Sequence, residues 1–223
     1  FFDVRVVHAK GSPEDLCVRI SATNHGPDPA PLDLVPQLWF RNTWRWGRDD
    51  RTPSLRRIAP VEGTGHVTVE AQHALLGRYL LSAEGDPELL FCDNESDLVG
   101  LFGATANPTP YPKNGVDAAV VRGDRSLLNP AEEGTKVGVR YHFDAVAPGE
   151  TVTVQLRLSA DTAAGHRFDD PFDAVIDDRR AEADEFYGAV IPVDVDDVDR
   201  EVARRAFAGL LWGRQLYRYD VEA

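Results

Sequence analysis

Apolar residues alternate with polar ones through the first ~160 residues, and this constrains the chain most, because such alternation gives a strand one core face and one solvent face. Val4 and Val6 share a face. Leu16, Val18 and Ile20 alternate with Cys17, Arg19 and Ser21, and the run stops at the turn cluster Asn24-His25-Gly26-Pro27. Leu38 and Phe40, Val67 and Val69, and Leu89 and Phe91 fall in further short runs. Val137, Val139, Tyr141 and Phe143 repeat at every second position, and beyond Pro148-Gly149 the pattern returns in Val152, Val154, Leu156 and Leu158. Strands so often interrupted by Gly, Pro and Asn belong to an antiparallel sandwich or barrel rather than a parallel α/β sheet.

At Asp170 the period changes. Asp170 is expected to cap a helix and Pro171 to open it, where its missing N–H costs nothing. Phe172, Val175, Ile176, Phe186, Tyr187 and Val190 follow at helical spacing, and Pro192 ends the run. A second helix is expected from Asp196, with Asp196, Asp197, Asp199 and Glu201 early and Arg204 and Arg205 after them, the order the helix dipole favours. Val198, Val202, Ala206, Leu210 and Tyr217 form its stripe. The expectation is therefore a mainly β chain: a large antiparallel β-sandwich over 1–168, then two C-terminal helices within a helical segment over 169–223. Phe207, Leu211, Trp212, Tyr217 and Tyr219 crowd the end of the second helix and need a cover, from the sandwich or from a neighbouring domain. The chain has no Met and opens on Phe1-Phe2-Asp3-Val4, as expected of an excised or mature piece.

Charge and composition exclude several functions. The 223 residues include 37 Asp and Glu against 24 Lys and Arg, a formal charge of -13, which repels nucleic acid and anionic membrane surfaces. No apolar run approaches the ~18 residues that a membrane helix needs, and no secretory leader opens the chain, so a cytoplasmic location is expected. Cys17 and Cys92 cannot build a disulfide framework. Of the basic residues 21 are Arg and three are Lys, which fits a GC-rich genome or a salt-adapted surface.

No residue pattern marks a catalytic centre. Acidic pairs such as Asp169-Asp170, Asp177-Asp178 and Asp196-Asp197 suit helix starts and solvated faces better than acid–base work. The run from Asp194 to Asp199 fails the calcium-loop pattern, with Val198 where a ligand belongs and Asp199 where Gly is required. Six scattered histidines show no metal-ligand spacing, and there is neither a G-x-S-x-G elbow nor a phosphate-binding Gly loop. No catalytic residue, metal ligand or cofactor is therefore expected. Asn94-Glu95-Ser96 matches a glycosylation sequon, a pattern short enough to recur by chance.

Aromatic and amide residues are more informative. Three of the four Trp lie within Leu38-Trp39-Phe40-Arg41-Asn42-Thr43-Trp44-Arg45-Trp46, where a strand would point Trp44 and Trp46 the same way. Flat rings beside Arg and Asn suit a sugar, whose C–H face packs on the ring while its hydroxyls meet polar groups; filling a core or an interface is the commoner use of such rings. Asn107-Pro108-Thr109-Pro110-Tyr111-Pro112-Lys113-Asn114-Gly115 reads as a shaped loop, the kind of segment that carries function. Asn42, Trp44, Trp46, Tyr111 and Asn114 are the candidate substrate-binding residues.

These stretches resemble the region ahead of the catalytic barrel in bacterial and archaeal proteins of glycoside hydrolase family 63, which contains the processing α-glucosidase of N-glycans. The resemblance is carried by Phe2-Asp3-Val4, Leu38 to Trp44, Gly85-Asp86-Pro87-Glu88-Leu89-Leu90-Phe91 and Asn94-Glu95. It continues through Leu101-Phe102-Gly103, Pro110-Tyr111-Pro112-Lys113-Asn114-Gly115, Asn129-Pro130, Gly134-Thr135-Lys136, 179–187 and 211–221, and so spans nearly the whole chain in order. It implies a large β-sandwich, then helices leading into an (α/α)6 barrel of the same polypeptide that acts on an oligosaccharide by inversion. The two catalytic carboxylates of that family lie in the barrel and match no position here, so the chain alone is expected to be inactive. A free-standing carbohydrate-binding module and a purely structural or interaction domain are the other classes that fit.

Overall fold

The computed structural model describes residues 1–46, 51–59, 65–160 and 168–214. The chain is mainly β and divides into two compact units, Phe1–Ile176 and Asp177–Ala223. In chain order the elements of the first unit are β1 (Phe2–Ser12), β2 (Asp15–Asn24), β3 (Ala30–Leu34), β4 (Gln37–Trp39), β5 (Ser54–Arg57), β6 (His66–His73), β7 (Gly77–Glu84) and β8 (Glu88–Cys92). Then come helices α1 (Leu98–Phe102) and α2 (Gly115–Arg122), strands β9 (Glu133–Gly134), β10 (Lys136–Val146) and β11 (Thr151–Ser159), and the start of α3 (Asp170–Val190).

Every strand pair is antiparallel. One sheet runs in the order β1-β2-β11-β7-β6-β5-β9, and the other is built on β10, which pairs with β3, β4 and β8. Register follows the alternation: Val18 faces Leu156, Ile20 faces Val154 and Ala22 faces Val152. Ile20, Ala22, Leu55, Val67, Val69, Leu81, Val154 and Leu156 of the first sheet share one buried cluster with Leu34, Phe91, Val137 and Val139 of the second. That shared core makes the two sheets a β-sandwich, as the sequence predicts.

The outer faces are covered in two places. Ala9 and Cys17 pack with Phe172 and Ile176 from the first turns of α3, and Arg19 pairs with Asp173 while its guanidinium lies 5.6 Å from the Phe172 ring centre. Burial there pushes the Cys17 thiol up to about 11, so it is an inert packing group. On the other sheet Leu90 and Cys92 of β8 pack against Val116 and Ala119 of α2.

Besides the two unexpected short helices α1 and α2, local structure departs from the sequence expectations at three points. Trp44–Trp46 is a 3-10 turn and not a strand, because Thr43 O accepts from Trp46 N at 3.1 Å and Asn42 Oδ1 accepts from Arg45 N at 3.4 Å. A local side-chain bond of this kind competes with a sheet ladder. Phe40, expected in a strand, lies just past the end of β4. Helix α3 starts one residue earlier than expected: Asp169 O accepts from Phe172 N and Asp173 N, which places Asp170 first and Pro171 second in the helix.

The second unit holds the remainder of α3 and α4 (Asp197–Trp212). Asp196 caps α4, its Oδ1 accepting from Asp199 N at 2.8 Å, so the acidic run at 194–199 is a helix start, as expected. Arg204 joins the helices by bonding Asp184 at 2.6 Å and lying 4.8 Å from the Tyr187 ring centre. Val198, Val202, Leu210 and Leu211 remain exposed. Tyr217, Tyr219 and the side chain of Trp212 lie outside the described residues. Among the described residues no helix is long and apolar enough to cross a membrane.

Candidate functional site

The segment Asp93-Asn94-Glu95-Ser96-Asp97 leaves β8 and ties four distant stretches together. Asp93 Oδ1 accepts from Thr135 N at 3.1 Å and its Oδ2 accepts from the Thr109 hydroxyl at 2.6 Å. Asn94 N donates to Thr135 Oγ1 at 2.7 Å, and Asn94 Nδ2 donates to Phe40 O at 2.8 Å. Glu95 Oε1 accepts from Trp44 Nε1 at 2.8 Å and from Arg45 Nε at 2.9 Å. Asp97 Oδ1 accepts from Gly100 N and Asn107 Nδ2, both at 2.9 Å, and its Oδ2 accepts from Asn114 Nδ2 at 3.0 Å. The Gly100 amide first, then Asn107 and Asn114, hold the Asp97 carboxyl below the usual carboxylate range.

These ties surround a polar cleft of about 440 Å³. Its lining combines the Trp44 ring, the Arg45 guanidinium, the Asp93 and Glu95 carboxylates and the Thr109 and Thr135 side chains, with Thr52, Pro108 and Pro110 completing the wall. Glu95 is only 8% exposed, whereas the Arg45 side chain is 53% exposed. Thr135 reaches Asp93 because Gly134 lets the chain pass close to β8; a Cβ at Gly134 would lie 2.3 Å from the Cys92 carbonyl oxygen. A second hollow of about 330 Å³ is walled mainly by apolar side chains, Leu38, Trp39, Phe40, Tyr79 and Leu158 among them, with Lys10, Glu14, Asp15 and His73 also in its lining.

The predicted binding residues take different positions. Trp44 lines the cleft. Asn42 supports it from behind, donating to Asn94 O at 3.0 Å and accepting from the amide of Arg45. Asn114 anchors the loop to Asp97 just ahead of α2, and its Oδ1 is buried without a partner among the described residues. Tyr111 packs against the cluster of Leu90, Cys92, Val116 and Ala119, and its carbonyl accepts from Asp93 N at 2.7 Å. Trp46 is outside the cleft lining and 55% exposed, with the Arg41 guanidinium 5.1 Å from its ring centre.

Arg45, Asp93, Glu95, Thr109 and Thr135 went unread as site residues. The one sequence signal for them is the dense polar run 93–97 between a buried strand and a Pro-rich loop. The sequon reading of Asn94 meets an obstacle in the fold, since its Nδ2, the atom a glycan would occupy, is committed to Phe40 O. The cleft offers donors and acceptors rather than a reactive pair: both Asp93 oxygens accept internal bonds, and Glu95 Oε1 accepts two. No group of three or more His, Cys, Asp or Glu among the described residues could hold a metal ion.

No family model matches the chain. It is 33% identical, over 253 aligned residues, to the uncharacterized protein YMR196W of Saccharomyces cerevisiae. The match takes in the whole of this chain but only 23% of the yeast protein, so the chain spans about a quarter of the length of this relative.

Proposed function

We propose that the chain is the non-catalytic β-sandwich of an inverting, α-glucosidase-like glycoside hydrolase, and that its polar cleft holds part of an oligosaccharide presented to a catalytic barrel in the same polypeptide. One observation carries this. Two stretches far apart in sequence, 42–46 with its rings beside Arg and Asn and the Pro-shaped loop 107–114, are drawn together by residues 93–97 around one cleft. An indole, a guanidinium, carboxylates and hydroxyls converging there suit a ligand with apolar C–H faces and many hydroxyls.

The chemistry of the division of labour follows from the residues. Bond cleavage by inversion needs one acid to protonate the leaving oxygen and one carboxylate to activate water across the sugar ring. Both Asp93 oxygens and Glu95 Oε1 are occupied in holding loops, so on this reading the chain supplies orientation and the barrel supplies both carboxylates. The great length of the yeast relative supports a place within a longer polypeptide. The exposed Val198, Val202, Leu210 and Leu211 of α4 are apolar enough to serve as a surface for that barrel. Two buried free thiols, Cys17 and Cys92, suit a cytoplasmic location.

The test is kinetic. In the intact enzyme Trp44→Ala should lower kcat/KM for an oligosaccharide by about tenfold, the loss of roughly one good stacking contact. An unchanged value would remove the cleft from substrate binding. The isolated chain should hydrolyse no α-glucoside, and turnover by it would overturn the assignment of the carboxylates to the barrel.

A further inference from the structure

Resting on the carbohydrate-binding role of the cleft, we infer that Glu95 and Arg45 form a clamp for one vicinal diol of a neutral sugar. Glu95 is nearly buried, and its two oxygens differ: Oε1 accepts from Trp44 Nε1 and Arg45 Nε, while Oε2 has no partner among the described residues. Glu95 lines a cleft open to solvent, where that second oxygen is available to accept a hydrogen bond from a ligand. Arg45 mirrors this arrangement. Its Nε is committed to Glu95 at 2.9 Å, and its two terminal nitrogens have no partner among the described residues.

The shared bond fixes an acceptor and two donors side by side. A hydroxyl both donates and accepts, so two adjacent hydroxyls complete the pair: one donates to Glu95 Oε2, the other accepts from an Arg45 terminal nitrogen. Trp44 is held by the same Glu95 oxygen, so its ring is set in place before the ligand arrives. Charge selects against acidic ligands: an anionic sugar meets Asp93 and Glu95, whereas a neutral diol satisfies both Glu95 and Arg45 without adding charge.

Calorimetric titration of the intact protein with neutral gluco- and manno-oligosaccharides, together with monodeoxy derivatives of whichever binds, tests the clamp. Arg45→Met should weaken binding about ten- to a hundredfold, as loss of a charge-assisted hydrogen bond does. Removing the hydroxyl that accepts from Arg45 should cost the wild type a similar factor and cost Arg45→Met almost nothing further, whereas removing its neighbour, which donates to Glu95, should weaken binding to both proteins. Glu95→Gln should weaken binding in the same range, and the exposed Arg45 keeps the test decisive if that variant fails to fold. Binding that Arg45→Met leaves unchanged, with all deoxy derivatives equivalent, would overturn the clamp and leave the sugar cleft standing. Tighter binding of a uronic-acid oligosaccharide would likewise overturn it. Failure of the wild type to bind any neutral oligosaccharide would overturn the cleft's role, and the clamp with it.

Discussion

The sandwich core and the cleft beside it are held together by different forces. In the core, Phe91, Val137, Val139 and Leu55 are at most 1% exposed and interact without direction, so each element is stabilised by many neighbours. Around the cleft, the loops at 40–46 and 97–114 are held by hydrogen bonds to four side chains between Asp93 and Asp97. Apolar packing tolerates loss of one contact at a cost graded by volume. A polar hub concentrates its control, and one substitution there releases a whole loop. The loops around the cleft are therefore able to change while the sandwich keeps its fold.

Mutations that separate the two regions have graded effects. Phe91→Ala empties a fully buried site between the sheets and should destabilise the protein by about 3–5 kcal/mol, read as a cooperative loss in chemical denaturation. Glu95→Ala removes the shared acceptor of Trp44 and Arg45 and should cost about 1–3 kcal/mol. Hydrogen exchange should then quicken at 42–46 while the amides of β2 and β11 stay protected. Equal deprotection of both regions would show that hub and core unfold as one, and the contrast would fail.

Smaller effects sharpen the same comparison. Asp196→Ala should cost about 1 kcal/mol of α4 stability through loss of the Asp199 cap bond, with no change in the sandwich. Acid acts on the hub through Asp97. Its folded pKa is depressed, so its contribution is full above the unfolded value near ~3.9 and is lost as pH falls through the folded pKa. Limited proteolysis across that window should open 98–114 before the sheets, and Asp97→Asn should remove the pH dependence of that opening.

The same contrast explains what could be read from sequence. Val137 to Phe143 and Val152 to Leu158 announce strands because alternation is a local property of the chain, and their pairing in one sandwich follows from burying those faces. The helix start at 194–199 was equally readable, since a cap acts over three residues. Helix α2 was missed although Val116, Ala119 and Val120 recur at helical spacing and Gly123 closes it in the left-handed conformation at φ 68°. The Pro-rich lead-in masked that short pattern. The cleft lay beyond local reading: Glu95 meets Trp44 across 51 residues, and Asp93 meets Thr135 across 42. Polar pairings at that range leave no period in the sequence, which is why Trp44 was singled out and its partners were not.

The indole N–H of Trp44 reports most directly on whether the cleft takes sugar. It donates to Glu95 at 2.8 Å inside the cleft, and Trp44→Phe assigns its resonance. Titrating a neutral oligosaccharide into the intact protein should shift that one signal saturably, leaving the Trp39 indole, which lines the separate hollow, unmoved. Saturable binding with the Trp44 signal stationary would contradict the account.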